Sequence, residues 1–468
     1  MIWQTLSNFS NKTILIITKM GALSVKDISN YRVEYFKNNT LSDDATPLAG
    51  KRFLIATESA RNALKVICVL DGIADAIGFA SPTLSDDALK KIAHKGKFDI
   101  VIWDEIRSQV TDDGILFCHS LLAAIPHCKN GATSSDSNKI NMPSRWVMTT
   151  SGTTGEPKLV SHSFNSLTKT AKGIGAARPD VIWGMLYDYT RFAGMQVFLQ
   201  SCLSGSTLVV PDRSLPLAEQ VAYLSKNNAN HFSGTPTLWR KVLMLPESKT
   251  LKPKHITLGG EIVNQAILNG LESQYSDCRI IHIYASTEAG VGFSVSDKKA
   301  GFPKKYISED KIIDGIKLKV SDDGILHIEN RAVKTKYVGD ERMISDTEGW
   351  IETGDMLRLD GERYFFLGRE SGLINVGGNK VLPEKIEEIL LMHPAVIAAR
   401  AYAKKSPITG ELVAAEIVIS ETAKGTEREI KRDVKNFSAE RLEKFETPAF
   451  IKGVDSIELN ESGKVKRH

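Results

Sequence analysis

Short apolar runs alternate with helical patterns along roughly the first 140 residues, and this alternation restricts the chain to an α/β fold. The runs at 52–56, 66–70 and 99–103 have the length and the apolar content of buried strands. Further strand candidates follow at 145–149, 158–161, 207–210, 255–258 and 279–284. We therefore predict a large N-terminal α/β domain that contains more than one sheet.

The last hundred or so residues are richer in Lys and Glu, and their pattern differs from that of the preceding chain. The predicted elements there are a helix at 384–391, strands at 396–403 and 412–419, and a helix at 426–442. Thr426 and Glu429 have the spacing of a capping box at the start of the last helix. Because 468 residues also exceed the size of a single ordinary core, we predict a large domain at 1–368 and a small, mobile α+β domain at 369–468.

Composition excludes several classes of partner. The net charge of +4 is small for this length, and no dense Lys/Arg block indicates binding to nucleic acid. The apolar run at 14–17 is too short for a signal-peptide core or a membrane span. The five cysteines are scattered and form no C-x-x-C pair, which is typical of buried thiols in a reducing compartment. We therefore expect a cytoplasmic protein without a membrane span.

The segment from Thr149 to Lys158 reads TTSGTTGEPK and lies between two predicted strands. Small Gly, Ser and Thr residues let the backbone approach an anion and direct N–H groups towards it, and Lys158 adds a positive charge. The usual nucleoside-triphosphate loop has four residues between its first glycine and a Gly-Lys pair, whereas Gly152 and Gly155 enclose only two. The pattern favours a phosphate-binding hairpin. A polar hairpin without a ligand is the alternative, because Gly and Thr are common turn residues.

With this loop, which is followed by Val160-Ser-His162, the chain resembles the adenylate-forming superfamily. That superfamily includes acyl-CoA synthetases, peptide-synthetase adenylation domains and beetle luciferases, and in it the loop closes over the β- and γ-phosphates of ATP. The resemblance continues in the expected order from about residue 144 to the C-terminus. It implies the following ATP-binding residues in the loop: Thr150, Ser151, Gly152, Thr153, Thr154, Gly155 and Lys158.

The second similar segment is Tyr284-Ala285-Ser286-Thr287-Glu288, at the end of a predicted strand. The resemblance implies that these residues bind the nucleotide, with the Tyr284 ring on adenine and with Thr287 and Glu288 as catalytic groups at the phosphates. Glu288 is also the expected Mg²⁺ ligand, because a magnesium ion that bridges phosphates takes one or two carboxylates and several waters. The superfamily usually has glycine at the position of Ala285, and we expect the small methyl group to be tolerated.

Two glycine-containing turns extend the resemblance. Gly259, Gly260 and Glu261 match the segment whose backbone forms a wall of the adenine and acyl pockets. Asp355, in the sequence Thr353-Gly-Asp, matches the aspartate that binds the ribose hydroxyls. A carboxylate at such a strand–turn junction can accept hydrogen bonds from both hydroxyls. An exposed turn of the Asx type is the alternative for Asp355.

The segment from Tyr364 to Arg369 resembles the connection between the two domains of the superfamily, with Arg369 near the ribose. Many members carry Asp or Lys two places after this arginine as the pivot of a domain rotation. This chain has Ser371 followed by Gly372, so the pivot departs from the usual pattern. We expect the hinge at Glu370 and Ser371.

Two features of the small domain complete the resemblance. Gly377 and Gly378 match the loop that lines the tunnel of the acceptor thiol, and Lys464 stands where the superfamily keeps its adenylation lysine. When a carboxylate attacks the α-phosphate, two anions come together, and a bridging lysine stabilises the charge that develops. A solvated tail is the alternative for Lys464, and the neighbouring Lys466 is the other candidate.

The resemblance implies two half-reactions. ATP, Mg²⁺ and a carboxylic acid first give acyl-AMP and pyrophosphate, and the small domain then turns and admits the thiol of CoA or phosphopantetheine. The expected activity is therefore that of an AMP-forming acid–thiol ligase. Three alternatives stay open at this point: loading of a separate acyl or peptidyl carrier protein, a luciferase-type oxygenase, and a non-catalytic adenylate-binding relative.

The acid itself is less constrained. Superfamily members place the acyl pocket beside the segment that corresponds to residues 183–205, often with a histidine or aromatic residue three places before a glycine. Here Arg191 and Gly194 have that spacing. We hypothesise that Arg191 faces the pocket and favours an acid with a second anionic or polar group. An arginine in a structural or surface ion pair is an equal alternative. Asp188 lies in a poor context for binding an α-amine, so simple acyl or aryl acids are preferred to amino acids.

Overall fold

The computed structural model describes residues 1–39, 48–104, 109–112, 114–121, 124, 143–150, 157–307, 315–330, 336–407, 409–420 and 423–458. The helices in these ranges are α1 Ile2–Leu6, α2 Val25–Asn39, α3 Ala60–Leu70, α4 Asp86–Gly96, α5 Phe164–Thr168, α6 Phe192–Leu203, α7 Leu217–Lys226, α8 Pro236–Met244, α9 Gln265–Gln274, α10 Pro383–Leu391 and α11 Glu427–Ala439. Short 3₁₀ turns occupy Pro246–Thr250, Lys304–Tyr306 and Glu370–Gly372.

The strands are β1 Ile14–Thr18, β2 Gly21–Ser24, β3 Arg52–Ile55, β4 Ala76–Phe79, β5 Ile100–Ile102, β6 Gln109–Val110, β7 Leu116–Cys118, β8 Arg145–Thr150, β9 Lys158–His162, β10 Ile182–Met185, β11 Thr207–Val209, β12 His231–Gly234, β13 His255–Gly259, β14 Arg279–Ser286, β15 Gly290–Val295, β16 Phe302–Pro303, β17 Ile316–Val320, β18 Ile325–Asn330, β19 Trp350–Asp360, β20 Arg363–Arg369, β21 Ile374–Val376, β22 Asn379–Val381, β23 Val396–Ser406, β24 Gly410–Ile419 and β25 Phe450–Gly453.

These strands form four sheets. The N-terminal sheet has the order β6-β7-β5-β3-β4-β8-β9, and the central sheet has the order β15-β14-β13-β12-β10-β11-β1-β2. A third sheet has the order β16-β20-β19-β18-β17. The C-terminal sheet has the order β22-β21-β24-β23, with β25 paired to β24. The predicted α/β fold with several sheets in its larger part is therefore confirmed.

The N-terminal and central sheets share one core that includes α3 and α6. The prediction of a strand at 66–70 was wrong, because this run is the second half of α3. Ser59 caps the helix by accepting a hydrogen bond from the Asn62 N–H, and Val66 to Leu70 are all buried. A short run that is apolar on all sides does not distinguish a buried helix from a buried strand. The other predicted strands are present.

The C-terminal sheet and the helices α10 and α11 enclose a hydrophobic core of their own. The predicted capping box begins α11: the Glu429 N–H donates to Thr426 Oγ1 at 3.4 Å, and the Thr426 N–H donates to the Glu429 carboxylate at 2.8 Å. The helix ends at Ala439, three residues before the predicted end. Among the described residues, no helix is long and apolar enough to span a membrane.

Candidate active site

The hairpin of β8 and β9 presents the ends of the predicted phosphate loop. Thr150 and Lys158 are paired across the two strands, which are buried along most of their length. The Lys95 ammonium group donates to the Pro157 carbonyl at 3.1 Å and so ties the start of β9 to α4. The residues between these ends lie outside the described part of the chain, namely Ser151, Gly152, Thr153, Thr154 and Gly155.

The carboxyl ends of β13 and β14 lie side by side, because the two strands are parallel neighbours in the central sheet. Ligands of α/β sheets bind outside this edge. Gly260 has φ +83°, a conformation that favours glycine, and it directs the chain away from β13. The Glu261 carboxylate accepts the Thr237 N–H at 2.9 Å, at the start of α8. Glu261 therefore stabilises a helix end and is not on the wall of the cavity described below.

The paired strands β19 and β20 place Asp355 opposite Arg369. Arg369 Nε donates to Asp355 Oδ1 at 2.9 Å, and the Tyr284 hydroxyl donates to Oδ2. Burial, followed by the neighbouring carboxylate, raises the pKa of Tyr284 well above its usual value, so this group remains a neutral donor. The pKa of Arg369 is raised mainly by Asp355. The network holds the Asp355 carboxylate in one orientation.

The Tyr284 ring is part of an aromatic cluster. It is stacked on Phe293, with ring centroids 5.5 Å apart, and on Phe366, with centroids 5.1 Å apart. Tyr284 does not line the cavity, whereas the following residue, Ala285, does. The stacking partners of Tyr284 in this structure are thus two phenylalanines, and its contact with adenine stays a prediction.

A single cavity of about 680 Å³ connects these elements. Several of the predicted ATP-binding and catalytic residues line it: Thr150, Lys158, Gly259, Gly260, Ala285, Ser286, Thr287, Glu288 and Arg369. These residues come from segments that are widely separated in sequence. Asp355 is joined to the wall of the cavity through its ion pair with Arg369. The structure therefore brings the hairpin ends, the end of β14 and the Asp355–Arg369 pair to one place.

The surroundings of Glu288 are compatible with a magnesium ion bound together with phosphates. The Glu288 carboxylate interacts with the Tyr337 hydroxyl, whose pKa is raised to about 12 by burial and then by Glu288. The described residues contain no cluster of three metal-binding side chains. One carboxylate suits Mg²⁺, which usually takes one or two protein oxygens and completes its shell with phosphate oxygens and water.

Arg191 lies at the start of α6 and lines the cavity. Its Nη1 donates to Thr149 Oγ1 at 3.3 Å, and burial lowers the pKa of its guanidinium group. Gly194 serves a different purpose from the predicted one. A Cβ atom there would lie 2.0 Å from the Asp188 carbonyl oxygen, so Gly194 lets α6 approach the preceding turn. Ala193, and not Gly194, faces the cavity.

Asp188 has a structural environment. Its carboxylate accepts the Thr190 N–H at 2.9 Å and the Thr190 hydroxyl at 2.7 Å. Asp188 is buried and is absent from the wall of the cavity. Because Asp188 is not on the wall, it gives no reason to expect an amino acid as the substrate. The preference for simple acyl or aryl acids stays a prediction.

The remaining predicted residues that the structure describes are not on the wall of the cavity. Gly377 and Gly378 form the turn between β21 and β22, and both have positive φ angles. Glu370 and Ser371 belong to the 3₁₀ turn that follows β20 directly. Lys464 lies outside the described residues. The predicted roles of these residues in thiol binding, hinge motion and adenylation therefore stay predictions.

Sequence reasoning missed Tyr337, which joins two predicted site residues. Its ring lies 5.3 Å from Lys158 Nζ, and its hydroxyl interacts with Glu288. Phe366 was placed in a domain connection but not against Tyr284. Neither contact follows from a local pattern, because each joins residues that are about 50 or more positions apart in sequence.

A cavity at the carboxyl edge of a largely parallel sheet is typical of α/β enzymes that bind nucleotides. The AMP-binding enzyme family matches residues 79–330, and the AMP-binding enzyme C-terminal domain matches residues 385–464. The chain belongs to the AMP-binding enzyme family. The resemblance to the adenylate-forming superfamily is thus confirmed, as is the expected class of AMP-forming acid–thiol ligases, within which the chain falls in the acid–CoA ligase family.

Individual relatives are distant. The chain is 27% identical over 338 residues to the 2-succinylbenzoate–CoA ligase of Bacillus pumilus (strain SAFR-032), which covers 69% of this chain and 67% of that protein. It is 24% identical over 353 residues to a mitochondrial medium-chain acyl-CoA ligase of Mus musculus, which covers 69% and 56%. The crystal structure of the anthranilate CoA ligase AuaEII with anthranoyl-AMP superimposes with a TM-score of 0.78 at 16% identity, over 99% of this chain and 95% of that one.

Proposed function

We propose that the protein joins a carboxylic acid to the thiol of CoA, using ATP and passing through an acyl-adenylate. The observation that carries this proposal is that Lys158, Glu288 and Arg369, predicted at the phosphates, the magnesium ion and the ribose, line one cavity. Lys158 and Arg369 lie on strands of two different sheets, Glu288 lies in the turn between two strands of a third, and only the assembled fold brings them together. The names of the relatives, which are CoA ligases, support CoA as the acceptor.

We assign the first half-reaction to these groups together with Lys464. Lys158 and Thr150 contact phosphate oxygens, and the Asp355 carboxylate accepts hydrogen bonds from the ribose hydroxyls. Glu288 holds the magnesium ion, which neutralises phosphate charge when it is bound. Lys464 stabilises the charge that develops as the carboxylate attacks the α-phosphate. The reaction needs no protein nucleophile, so orientation and electrostatics supply the rate enhancement.

The second half-reaction uses the small unit of the protein. We assign residues 1–368 to the large domain and residues 369–468 to the small one, with the hinge at Glu370 and Ser371. After adenylation the small domain turns, withdraws Lys464 and brings Gly377 and Gly378 beside the entering thiol. The close approach of a thiol to backbone is compatible with a glycine pair that carries no side chains. A cytoplasmic location, the supply of CoA there and Mg²⁺ as the metal are parts of the same proposal.

ATP–pyrophosphate exchange with a panel of carboxylic acids tests the first half-reaction, and thioester formation with and without CoA tests the second. We expect at least one acid to support exchange and CoA to convert it to a thioester. Exchange without any CoA thioester, but with acylation of a carrier protein, would indicate carrier loading. Light emission or oxygen consumption with ATP and an acid would indicate an oxygenase. No exchange with any acid would contradict the proposal.

Arg191 is the first candidate for selecting the acid. Its guanidinium group lines the cavity and lies next to Thr149, at the start of the phosphate hairpin. We propose that it favours an acid with a second polar or anionic group close to the reacting carboxyl group. Arg191→Ala is expected to lower the exchange rate with such acids about tenfold or more relative to simple monocarboxylic acids, because a charged hydrogen bond is lost. An unchanged preference would reject this role.

A further inference from the structure

From the end where Glu288 and the other predicted ATP-binding residues lie, the cavity continues along one face of the central sheet. On β10, β12, β13 and β14, four residues are direct cross-strand neighbours in one row: Trp183, His231, His255 and Arg279. All four line the same cavity as Glu288, although they lie at the opposite, amino ends of the strands. The cavity is therefore a channel with two chemically different ends.

The strand geometry gives the length of this channel. At about 3.3 Å per residue, the four steps from His255 to Gly259 span about 13 Å, and the six steps from Arg279 to Ala285 span about 20 Å. A group bound at the far end is thus separated by this distance from the phosphates. A ligand that contacts both ends must be elongated.

The opposite wall of the channel is formed by one face of α6, with residues at helical spacing: Ala193, Gln196, Val197 and Gln200. The Gln196 amide donates to the Leu167 carbonyl at 2.7 Å, and the Gln200 amide donates to the Lys172 carbonyl at 2.8 Å. These bonds attach the segment 167–172 to the helix. The wall beside the far end is thus fixed by side-chain contacts to backbone.

The far end of the channel is rich in positive charge. Five cationic side chains line it, and we name them together the distal mouth: Lys169, Lys172, Arg178, Lys254 and Arg279. Among the described residues, none of these five forms an ion pair within 4.0 Å. Asp180 is an acidic neighbour of this end, and its charge raises the pKa of His231. Five positive charges that lie together and outnumber the neighbouring acidic group are typical of a surface that attracts an anion.

The two histidines of the row add aromatic surface but no charge near neutral pH. Burial lowers the pKa of both His231 and His255 to about 4, and nearby cations lower it further. Their rings are stacked with centroids 5.6 Å apart, and Trp183 lies 5.3 Å from the first of them. The charge of the distal mouth therefore comes from its lysines and arginines.

We propose that the distal mouth binds an anionic group at the far end of the acid, so the substrate is an elongated acid with two charged ends. The second group is a carboxylate, sulfate or phosphate, about 13 to 20 Å from the reacting carboxyl group. This inference rests on the proposed acid activation and names the class of acid. Lys254 and Arg279 are the specificity-determining residues that it assigns, because Arg279 ends the row beside His255 and Lys254 directly precedes His255 at the channel's end.

The experiment compares α,ω-dicarboxylic acids with monocarboxylic acids of the same chain length, over a series of lengths, in ATP–pyrophosphate exchange. The measured quantity is the ratio of kcat/KM for the two acids of each pair. The double variant Lys254→Ala/Arg279→Ala is expected to lower this ratio about tenfold or more at the preferred length, as the loss of a charged contact predicts. Lys252→Ala is the matched control, because this exposed lysine lies two residues from Lys254 and outside the channel.

Calorimetric titration of the dicarboxylic acid without ATP separates this inference from the proposed reaction. Binding to the wild type that is lost in the double variant, without exchange, would support the distal mouth and contradict acid activation. Exchange with an unchanged ratio in the double variant would contradict the distal mouth and support acid activation. A raised KM for CoA in the double variant, with unchanged selection of the acid, would assign the cations to the phosphates of CoA and would overturn the inference.

Discussion

Replacing Asp355 by asparagine tests whether this carboxylate binds the ribose. Arg369 and the Tyr284 hydroxyl each occupy one carboxylate oxygen, and each oxygen keeps a lone pair that a ribose hydroxyl can use. A hydrogen bond to a charged acceptor contributes about 1 kcal/mol more than one to a neutral acceptor. For two ribose hydroxyls the substitution therefore removes about 2 kcal/mol, which corresponds to about 30-fold in affinity.

The assay is a cycle of two proteins and two nucleotides, ATP and 2′,3′-dideoxy-ATP. The wild type is expected to bind ATP more tightly than the dideoxy analogue. Asp355→Asn should reduce this ratio of affinities about 30-fold, because the lost hydrogen bonds need both the carboxylate charge and the ribose hydroxyls. Asp297→Asn is the control: it breaks a similar pair with Arg363, 2.7 Å long, at the other end of β20 and away from the cavity. If the preference for ATP is the same in Asp355→Asn as in the wild type, the ribose assignment is wrong.

Two further predictions concern the reacting centre and the pH dependence of stability. Lys464→Ala is expected to slow ATP–pyrophosphate exchange about 100-fold or more, while thioester formation from added acyl-adenylate persists. Lys466→Ala is the control. An equal loss in both steps would contradict the role of Lys464 in adenylation. Burial lowers the pKa of His162 from 6.5 to about 4, so the unfolded chain binds a proton that the folded chain excludes, and stability falls as the pH falls below about 6.5. Between pH 7 and pH 5 the wild type should lose about 2 kcal/mol more free energy of unfolding than His162→Gln, measured by urea titration, and an equal loss in both proteins would refute it.

The sequence was most informative where the determining interactions are local. The capping box at Thr426 and the strands on both sides of the phosphate hairpin were predicted correctly, because spacing and turn residues specify them within a few positions. The helical run at 66–70 was misread because burial on every side removes the alternation that separates helix from strand.

The contacts that complete the site depend on tertiary structure and could not be predicted. The stacking of Tyr284 on Phe366 joins two sheets, and the Glu261 side chain attaches to α8, whereas the motif concerned only the backbone of its segment. The row that contains His231 and Arg279 arises from the register of four parallel strands. Strand register in a parallel sheet follows from packing across the whole domain, and no local pattern reports it.

The position of the Asp355–Arg369 pair suggests how nucleotide binding and domain rotation can be separated. The pair spans β19 and β20, and the 3₁₀ turn Glu370–Gly372 begins at the next residue. Contacts between the proposed small domain and the proposed large one lie on the other side of this turn, as in the hydrogen bond of 3.2 Å from Lys241 Nζ to the Ile457 carbonyl. A rotation about the turn must break the Lys241 contact but can leave the Asp355–Arg369 pair intact. The adenylate would thus stay bound through its ribose while the rest of the small domain rotates. Adenylation and thioester formation at one site require such a rotation.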